Sequence, residues 1–484
     1  MIFSSAIFVY CFLPATLLGF YILSRRAGIL AATLWLIAAS LVFYANWKAE
    51  HLSLLIASTL GNFLVGRGMQ AWPRQARLLL ATGIAGNLGL LGYYKYAFFL
   101  CSQVLALTSP FCDDLAADLP LAISFYTFTQ IAFLVDVWRR NIVELSLTRY
   151  GLFVTFFPHL IAGPIVHYQS LAPQFANGRL FRLTAETLAI GGAIFTIGLF
   201  KKVVLADRFG VVASPIFAIA DGTGTLSTPA AWIGAAAYSL QIYFDFSGYS
   251  DMAIGLARMF GITFPENFNS PYRATSLIDF WRRWHMTLSR FLRDYLYIPL
   301  GGNRHGPWRR YVNLMITMLL GGLWHGANWT FLVWGGLHGL GLIANNLWRR
   351  LYRRSNDPGR LYQGACWLAT LLFVMLCWIC FRAGSLDTAV KFYAAMVGLN
   401  PAGGTLPPMA WHLYVVMLAG GAICFFMPNR QACFAPGTGG NSRILELLRF
   451  RGRLIDIAAL TAILIATLYS MFRNASPEFL YFDF

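Results

Sequence analysis

Between Tyr311 and Trp348 the chain contains no Asp, Glu, Lys or Arg, yet it carries two histidines, His325 and His338. An uncharged stretch of that length is membrane core. An imidazole is costly in hydrocarbon unless it is hydrogen-bonded or works in a wet cavity, so each of these histidines is by default a candidate for function. His325 is the sharper of the two. It sits in Gly321-Gly322-Leu323-Trp324-His325-Gly326-Ala327-Asn328-Trp329, where glycines permit close approach of backbones or a substrate and indole rings wall the site.

The rest of the chain has the same character. Over 484 residues, 58% are hydrophobic and 12% charged, against about a quarter charged in an average soluble domain. The expected fold is an all-α, polytopic integral membrane protein with about ten to twelve transmembrane helices plus re-entrant segments. Apolar stretches lie near 2–23, 27–47, 52–66, 78–107, 120–138, 151–166, 186–200, 229–244, 311–323, 327–347, 364–382, 411–428 and 453–472. No internal repeat and no low-complexity linker interrupts them, so residues 1–484 are expected to form a single membrane domain with a catalytic core over about 120–347.

Charge distribution gives an orientation. The first stretch lacks a basic start and a cleavage site and ends at Arg25-Arg26, so it reads as a retained helix with the N-terminus outside. Basic residues recur at Arg67, Arg74, Arg77, Arg139 and Arg140, while the intervening loop carries Asp113, Asp114 and Asp118. That alternation follows the positive-inside rule. The net charge of +17 therefore faces anionic lipid head groups or an anionic cytosolic substrate. Nucleic acid is not an expected partner, because the cations punctuate apolar spans instead of forming one soluble face. The eight cysteines are scattered, and Cys377 and Cys380 lack the second ligand pair of a zinc site or the setting of a redox motif. We read the thiols as small hydrophobes and expect no metal.

The least regular region, about 203–310, holds most of the unusual polar residues. Within it, 277–297 reads as one amphipathic helix, with Phe280, Trp284, Leu288, Phe291 and Tyr295 on one face and Arg282, Arg283, Arg290 and Arg293 on another, lying along the cytoplasmic interface. His285 falls at the edge of that helix. The His285 and His325 pair suits general-base chemistry near neutral pH. Asp245 and Asp251, at the end of an apolar span, offer an acid–base pair, but buried carboxylates more often lock a fold through hydrogen bonds, and we assign them that structural role. The broken segment Pro158 to His167 reads as a re-entrant turn. No nucleophile elbow, Walker loop, dinucleotide fingerprint or zincin motif is present.

Five segments together resemble the membrane-bound O-acyltransferase family. They are Leu119–Gln130, Phe157–Ile165, Tyr243–Asp251, Phe280–His285 and Gly322–Trp329. The resemblance covers nearly the whole chain, including the aromatic run 479–484, and lies nearest the branch that O-acetylates alginate. It implies a family fold in which His325 is the catalytic histidine and His285 the second histidine of the site. It also implies an acetyl donor that is cytosolic acetyl-CoA rather than a resident cofactor, with Arg282, Arg283, Arg290 and Arg293 offering cations to its phosphates or to membrane lipids. The resemblance further implies a bacterial inner membrane location and partnership with periplasmic esterase-like acetyltransferase subunits of a polysaccharide acetylation complex. Branches serving cellulose, peptidoglycan or teichoic acid share these motifs. A competing class, a transporter or flippase with a histidine proton relay, would need inverted repeats of broken helices, which the sequence does not show.

Overall fold

A computed structural model describes residues 1–107, 110–116, 118–176, 184–351, 359–400, 404, 407–434, 453–473 and 480. The described residues form helices joined by short turns, with no β-strand among them. Among the described residues, six helices are both long and apolar enough to cross a membrane: Phe8–Arg26, Gly28–Ala45, Ala49–Ala71, Ala185–Asp221, Arg360–Arg382 and Leu454–Arg473. Other expected spans, such as Ile123–Trp138 and Trp411–Phe426, are apolar but shorter. The C-terminal aromatic run, apart from Leu480, lies outside the described residues.

The chain divides into two compact units that are interleaved in sequence, Met1–Ile197 with Tyr249–Pro265, and Gly198–Gly248 with Glu266–Phe484. In the first, helices are tied by buried polar side chains, since lipid supplies no hydrogen bonds and little hydrophobic drive between helices. Asn87 donates to Asn62 at 2.6 Å, Asn62 donates to Gln130, and Ser58 donates to Gln130 at 3.1 Å, joining Leu52–Ala71, Ala76–Leu91 and Ile123–Trp138. The 151–166 stretch does not form one helix. Leu147–Thr155 ends at Phe156, a single turn Phe157–Leu160 follows, and the Phe157 amide is held by Ser40 Oγ at 3.1 Å. His159 is packed there among Phe153, Phe156 and Phe264.

Cys101 and Cys112 form a disulfide, against the expectation that all eight cysteines are small hydrophobic thiols. Disulfides persist in oxidising compartments, so the bond supports an extracytoplasmic position for the loop that carries Asp113, Asp114 and Asp118. The remaining described cysteines are free thiols, with Cys377, Cys380 and Cys424 buried.

The second unit is built around the hairpin of Gly306–His325 and Trp329–Leu351. The two helices meet through glycines. A Cβ on Gly322 would collide with the Phe331 carbonyl oxygen, and one on Gly335 with the carbonyl oxygen of Met318. The glycines beside His325 therefore admit the partner backbone. Around the hairpin, Trp284, Trp334 and Trp378 are each no more than 2% exposed, with Trp334 stacked on Trp378 at 5.9 Å and Trp378 tilted against Trp284 at 4.8 Å.

The helix expected over 277–297 is broken. Leu277–Trp281 stops, His285 turns the chain, Met286–Leu292 resumes, and Arg293–Tyr297 continues as a wider π-helical turn. Four of the five apolar positions still face inward, as Phe280, Trp284, Leu288 and Phe291 are all buried, while Tyr295, on the π-helical turn, is half-buried. The arginine face survives in part, with Arg282, Arg290 and Arg293 exposed.

Because the hairpin closes backbone to backbone, Gly322→Ala should lower the thermal midpoint in detergent, by an overpacking penalty of about 1–3 kcal/mol. Gly336→Ala is the control, since its Cβ would meet only Leu319 at an ordinary 3.7 Å. Equal midpoints for both variants would show that the helices separate without cost.

Candidate active site

His325 is the last residue of its helix. Gly326 leaves helical geometry at φ −162° and ψ 149°, and the Phe331 ring occupies the place a Cβ would take. Asn328 then starts the next helix, its Oδ1 accepting from the Thr330 amide at 3.1 Å while its Nδ2 donates to the Gly384 carbonyl at 3.1 Å. The turn is thus pinned on both sides of the histidine. The His325 ring is 5% exposed and enclosed by three aromatic rings at steep angles, Trp324 at 4.9 Å, Trp334 at 5.2 Å and Phe381 at 5.1 Å.

His285 reaches the same cluster from another element. It adopts a left-handed conformation with φ 42° and ψ 54°, at the break between Leu277–Trp281 and Met286–Leu292. Side chains other than glycine and asparagine rarely take that conformation, and the cost is about 1–2 kcal/mol. The segment Asn267–Asn269 braces it. Met286 N donates to the Asn267 carbonyl at 2.9 Å, and Asn269 N donates to the Arg283 carbonyl at 2.9 Å. The ring is fully buried, edge-on to Phe246 at 4.7 Å and 6.2 Å from Trp324. The two histidines therefore flank one indole, that of Trp324.

His338 is also fully buried but is differently engaged. Its Nδ1 accepts from Trp281 Nε1 at 3.3 Å, and Trp334 stands between it and His325, 4.8 Å from one ring and 5.2 Å from the other. The structure so brings His285 and His325 to one indole and leaves His338 behind a second.

The carboxylates do not form an acid–base pair. Asp245 and Asp251 are six residues apart on the Thr228–Met259 helix, about 120° apart around its axis at 100° per residue, and so on different faces. Asp245, 1% exposed, pairs with Lys202 at 2.7 Å, and Lys202 also pairs with Asp207 at 2.9 Å. The second oxygen of Asp245 accepts from the Leu480 amide at 3.1 Å. Asp251 is buried in the first unit. Nothing local in the sequence marks Lys202 and Asp207, because they sit just where an apolar stretch ends and look like a polar helix end.

The four arginines divide into two kinds. Arg283 Nε is bound to both oxygens of Asp279 at 2.9 Å, and Arg293 pairs with its neighbour Asp294 at 2.7 Å. Arg282 and Arg290 are exposed.

Comparisons with known proteins concern this same region. Residues 125–386, which include His285, His325 and His338, match the sequence model of the membrane-bound O-acyltransferase family. The chain is 43% identical to the peptidoglycan O-acetyltransferase of Helicobacter pylori, over 83% of this chain and 80% of that protein. It is likewise 43% identical to the probable alginate O-acetylase of Pseudomonas aeruginosa, over 82% of this chain and 75% of that protein. A teichoic acid D-alanyltransferase from Streptococcus thermophilus is 29% identical over 49% of this chain and 59% of its own.

The buried ion group yields a prediction. Asp245→Asn leaves Lys202 with less compensation in a low-dielectric interior, a change that costs about 3–5 kcal/mol when one partner of a buried pair is removed. The amount of folded protein should fall more than the turnover of what remains, measured by detergent-stable monomer yield against activity per folded molecule. Normal yield with no turnover would place Asp245 in the chemistry instead.

Proposed function

The chain belongs to the membrane-bound O-acyltransferase family, and as a multi-pass membrane acyltransferase we propose that it moves acetyl from cytosolic acetyl-CoA through the membrane core to an acceptor hydroxyl, for O-acetylation of an exported polysaccharide, alginate being the first candidate polymer. The observation that carries the proposal is the placement of His325, held at a rigid turn, nearly dry and walled by three aromatic rings. Relatives named for O-acetylation are similar at 43% over about four-fifths of the chain, whereas the D-alanyl relative is similar over about half, which supports acetyl as the group transferred. Peptidoglycan is the second polymer, because the relative named for it is equally similar.

In the reaction, His325 takes the proton of the acceptor hydroxyl as its oxygen attacks the thioester carbonyl. The carbon–sulfur bond then breaks, and the coenzyme A thiolate leaves and takes up a proton. His285 orients the acceptor or stabilises the developing oxyanion. Exposed Arg282 and Arg290 attract the phosphates of the donor, while Arg283 holds the local fold through Asp279. The protein works in a bacterial inner membrane, and a periplasmic esterase-like acetyltransferase completes delivery to the polymer. The Cys101–Cys112 disulfide supports an oxidising compartment on one side.

His325→Ala should abolish transfer from labelled acetyl-CoA by the purified protein, by roughly 10²–10⁴-fold as expected for loss of a general base, while the level in the membrane stays near that of the native protein. Loss of protein in proportion to activity would assign His325 to folding. For the donor, Arg282→Glu with Arg290→Glu should raise KM for acetyl-CoA several-fold at low salt. The difference should shrink at high salt, since exposed charges are screened over roughly 8 Å at physiological ionic strength. An unchanged KM beside altered lipid association would assign the pair to head groups.

A further inference from the structure

We propose that Asn267 is a positioning residue that fixes His285 in the Nδ1–H tautomer, so that Nε2 presents a lone pair to the acceptor and His285 serves as a hydrogen-bond acceptor rather than an oxyanion donor. The inference rests on the acyl-transfer reading for its catalytic meaning, but its geometry stands by itself.

A backbone amide can only donate, and the Thr287 amide points at Asn267 Oδ1 at 3.3 Å. That contact identifies the atom as the carbonyl oxygen of the side chain and excludes the flipped amide. The Thr287 hydroxyl donates to the same oxygen at 2.9 Å. Oδ1 can only accept, and His285 Nδ1 lies 3.1 Å from it, so Nδ1 carries the hydrogen. In a neutral imidazole the other nitrogen is then bare. Among the described residues His285 Nε2 is buried without a hydrogen-bond partner. An unpaired acceptor in the interior is costly, and because His285 shares the Trp324 indole with His325, we assign its partner to the acceptor that His325 deprotonates.

His338 supplies an internal contrast. Trp281 Nε1 can only donate, so His338 Nδ1 is the bare nitrogen and its hydrogen sits on Nε2. The structure therefore sets two buried imidazoles of one unit in opposite tautomers, each through a partner of fixed polarity.

The tautomer decides between the two roles left open for His285. An oxyanion needs a donor, and a ring whose only hydrogen is committed to Asn267 has none to offer. Accepting a hydrogen bond is what remains. The attacking hydroxyl has one proton and gives it to His325, so the hydrogen that His285 accepts comes from another hydroxyl of the acceptor. The substrate class is then a polyol, as a sugar residue is, and not a simple monohydric alcohol.

The test uses the full-length purified protein with ring-¹⁵N-labelled histidine, the His285 resonances being identified by difference from His285→Gln. In the native protein, the expected spectrum shows a pyrrole-like Nδ1 and a pyridine-like Nε2 for His285. A pyrrole-like Nε2 overturns the proposal. Asn267→Asp, which keeps an accepting oxygen, should retain the native pattern and activity within a few-fold, and loss of that pattern counts against it. Asn267→Ala should lose the pattern and raise KM for a polyol acceptor about tenfold, the scale of one lost hydrogen bond, while KM for acetyl-CoA stays within about twofold. A native pattern in Asn267→Ala would show that another group sets the tautomer and would overturn the assignment. If the alanine variant does not accumulate, the native and Asn267→Asp spectra still decide the tautomer. Absence of acetyl transfer with every hydroxyl acceptor, beside the expected spectra, would sink the proposed reaction and leave the tautomer assignment standing.

Discussion

The second unit turns on one small backbone constraint, the left-handed residue at His285. A straight helix through 277–297 would carry its arginines and its histidine on a single cylinder, with the imidazole at the edge of the apolar face. The reversal at His285 instead swings the ring fully into the interior while Arg282 and Arg290 stay exposed. Strain of this kind persists only where surrounding bonds over-determine it. Here the two backbone hydrogen bonds to Asn267 and Asn269, and the two donors of Thr287 on Asn267, do so. The same contacts that hold the turn also orient the ring, so fold and chemistry share one set of hydrogen bonds.

A second constraint is the closeness of the hairpin helices. Glycines at 322 and 335 bring the backbones together, and bulk is displaced outward into Trp324, Trp334 and Phe381. Those rings enclose His325 and keep the site apolar where an acceptor hydroxyl and a thioester must meet. A deeply buried ion pair of the unit, Lys202 with Asp245, ties the Thr228–Met259 helix to the Leu480 amide, with Asp207 on the same lysine.

Much of this was legible in the sequence because it depends on local composition. An uncharged stretch with a histidine between glycines and tryptophans marks His325 whatever the tertiary fold, and the apolar phase of Phe280, Trp284, Leu288 and Phe291 predicts burial in either a continuous or a broken helix. The break itself was not legible. The +4, +4, +3, +4 spacing runs straight through it, and the bonds that cause it come from Asn267, 18 residues upstream of His285. Lys202 and the Cys101–Cys112 pair were hidden for the same reason, since their meaning lies in partners that no local pattern specifies.

The hairpin also explains why His325 is suited to take a proton and His338 is not, although both are glycine-flanked histidines in one uncharged stretch. His325 ends a 20-residue helix, where the unsatisfied carbonyls carry a partial negative charge that favours positive charge forming on a ring beside them. His338 lies inside the Trp329–Leu351 helix, one nitrogen already occupied by the Trp281 indole and the ring closed in by Phe280, Trp334 and Phe373. A base must gain a charge during the reaction, and a helix C-terminus is a place where the backbone favours one. The turn that stops the first helix at Gly326 therefore does more than reverse the chain. It places the imidazole at a helix end, beside the partial negative charge of the last carbonyls.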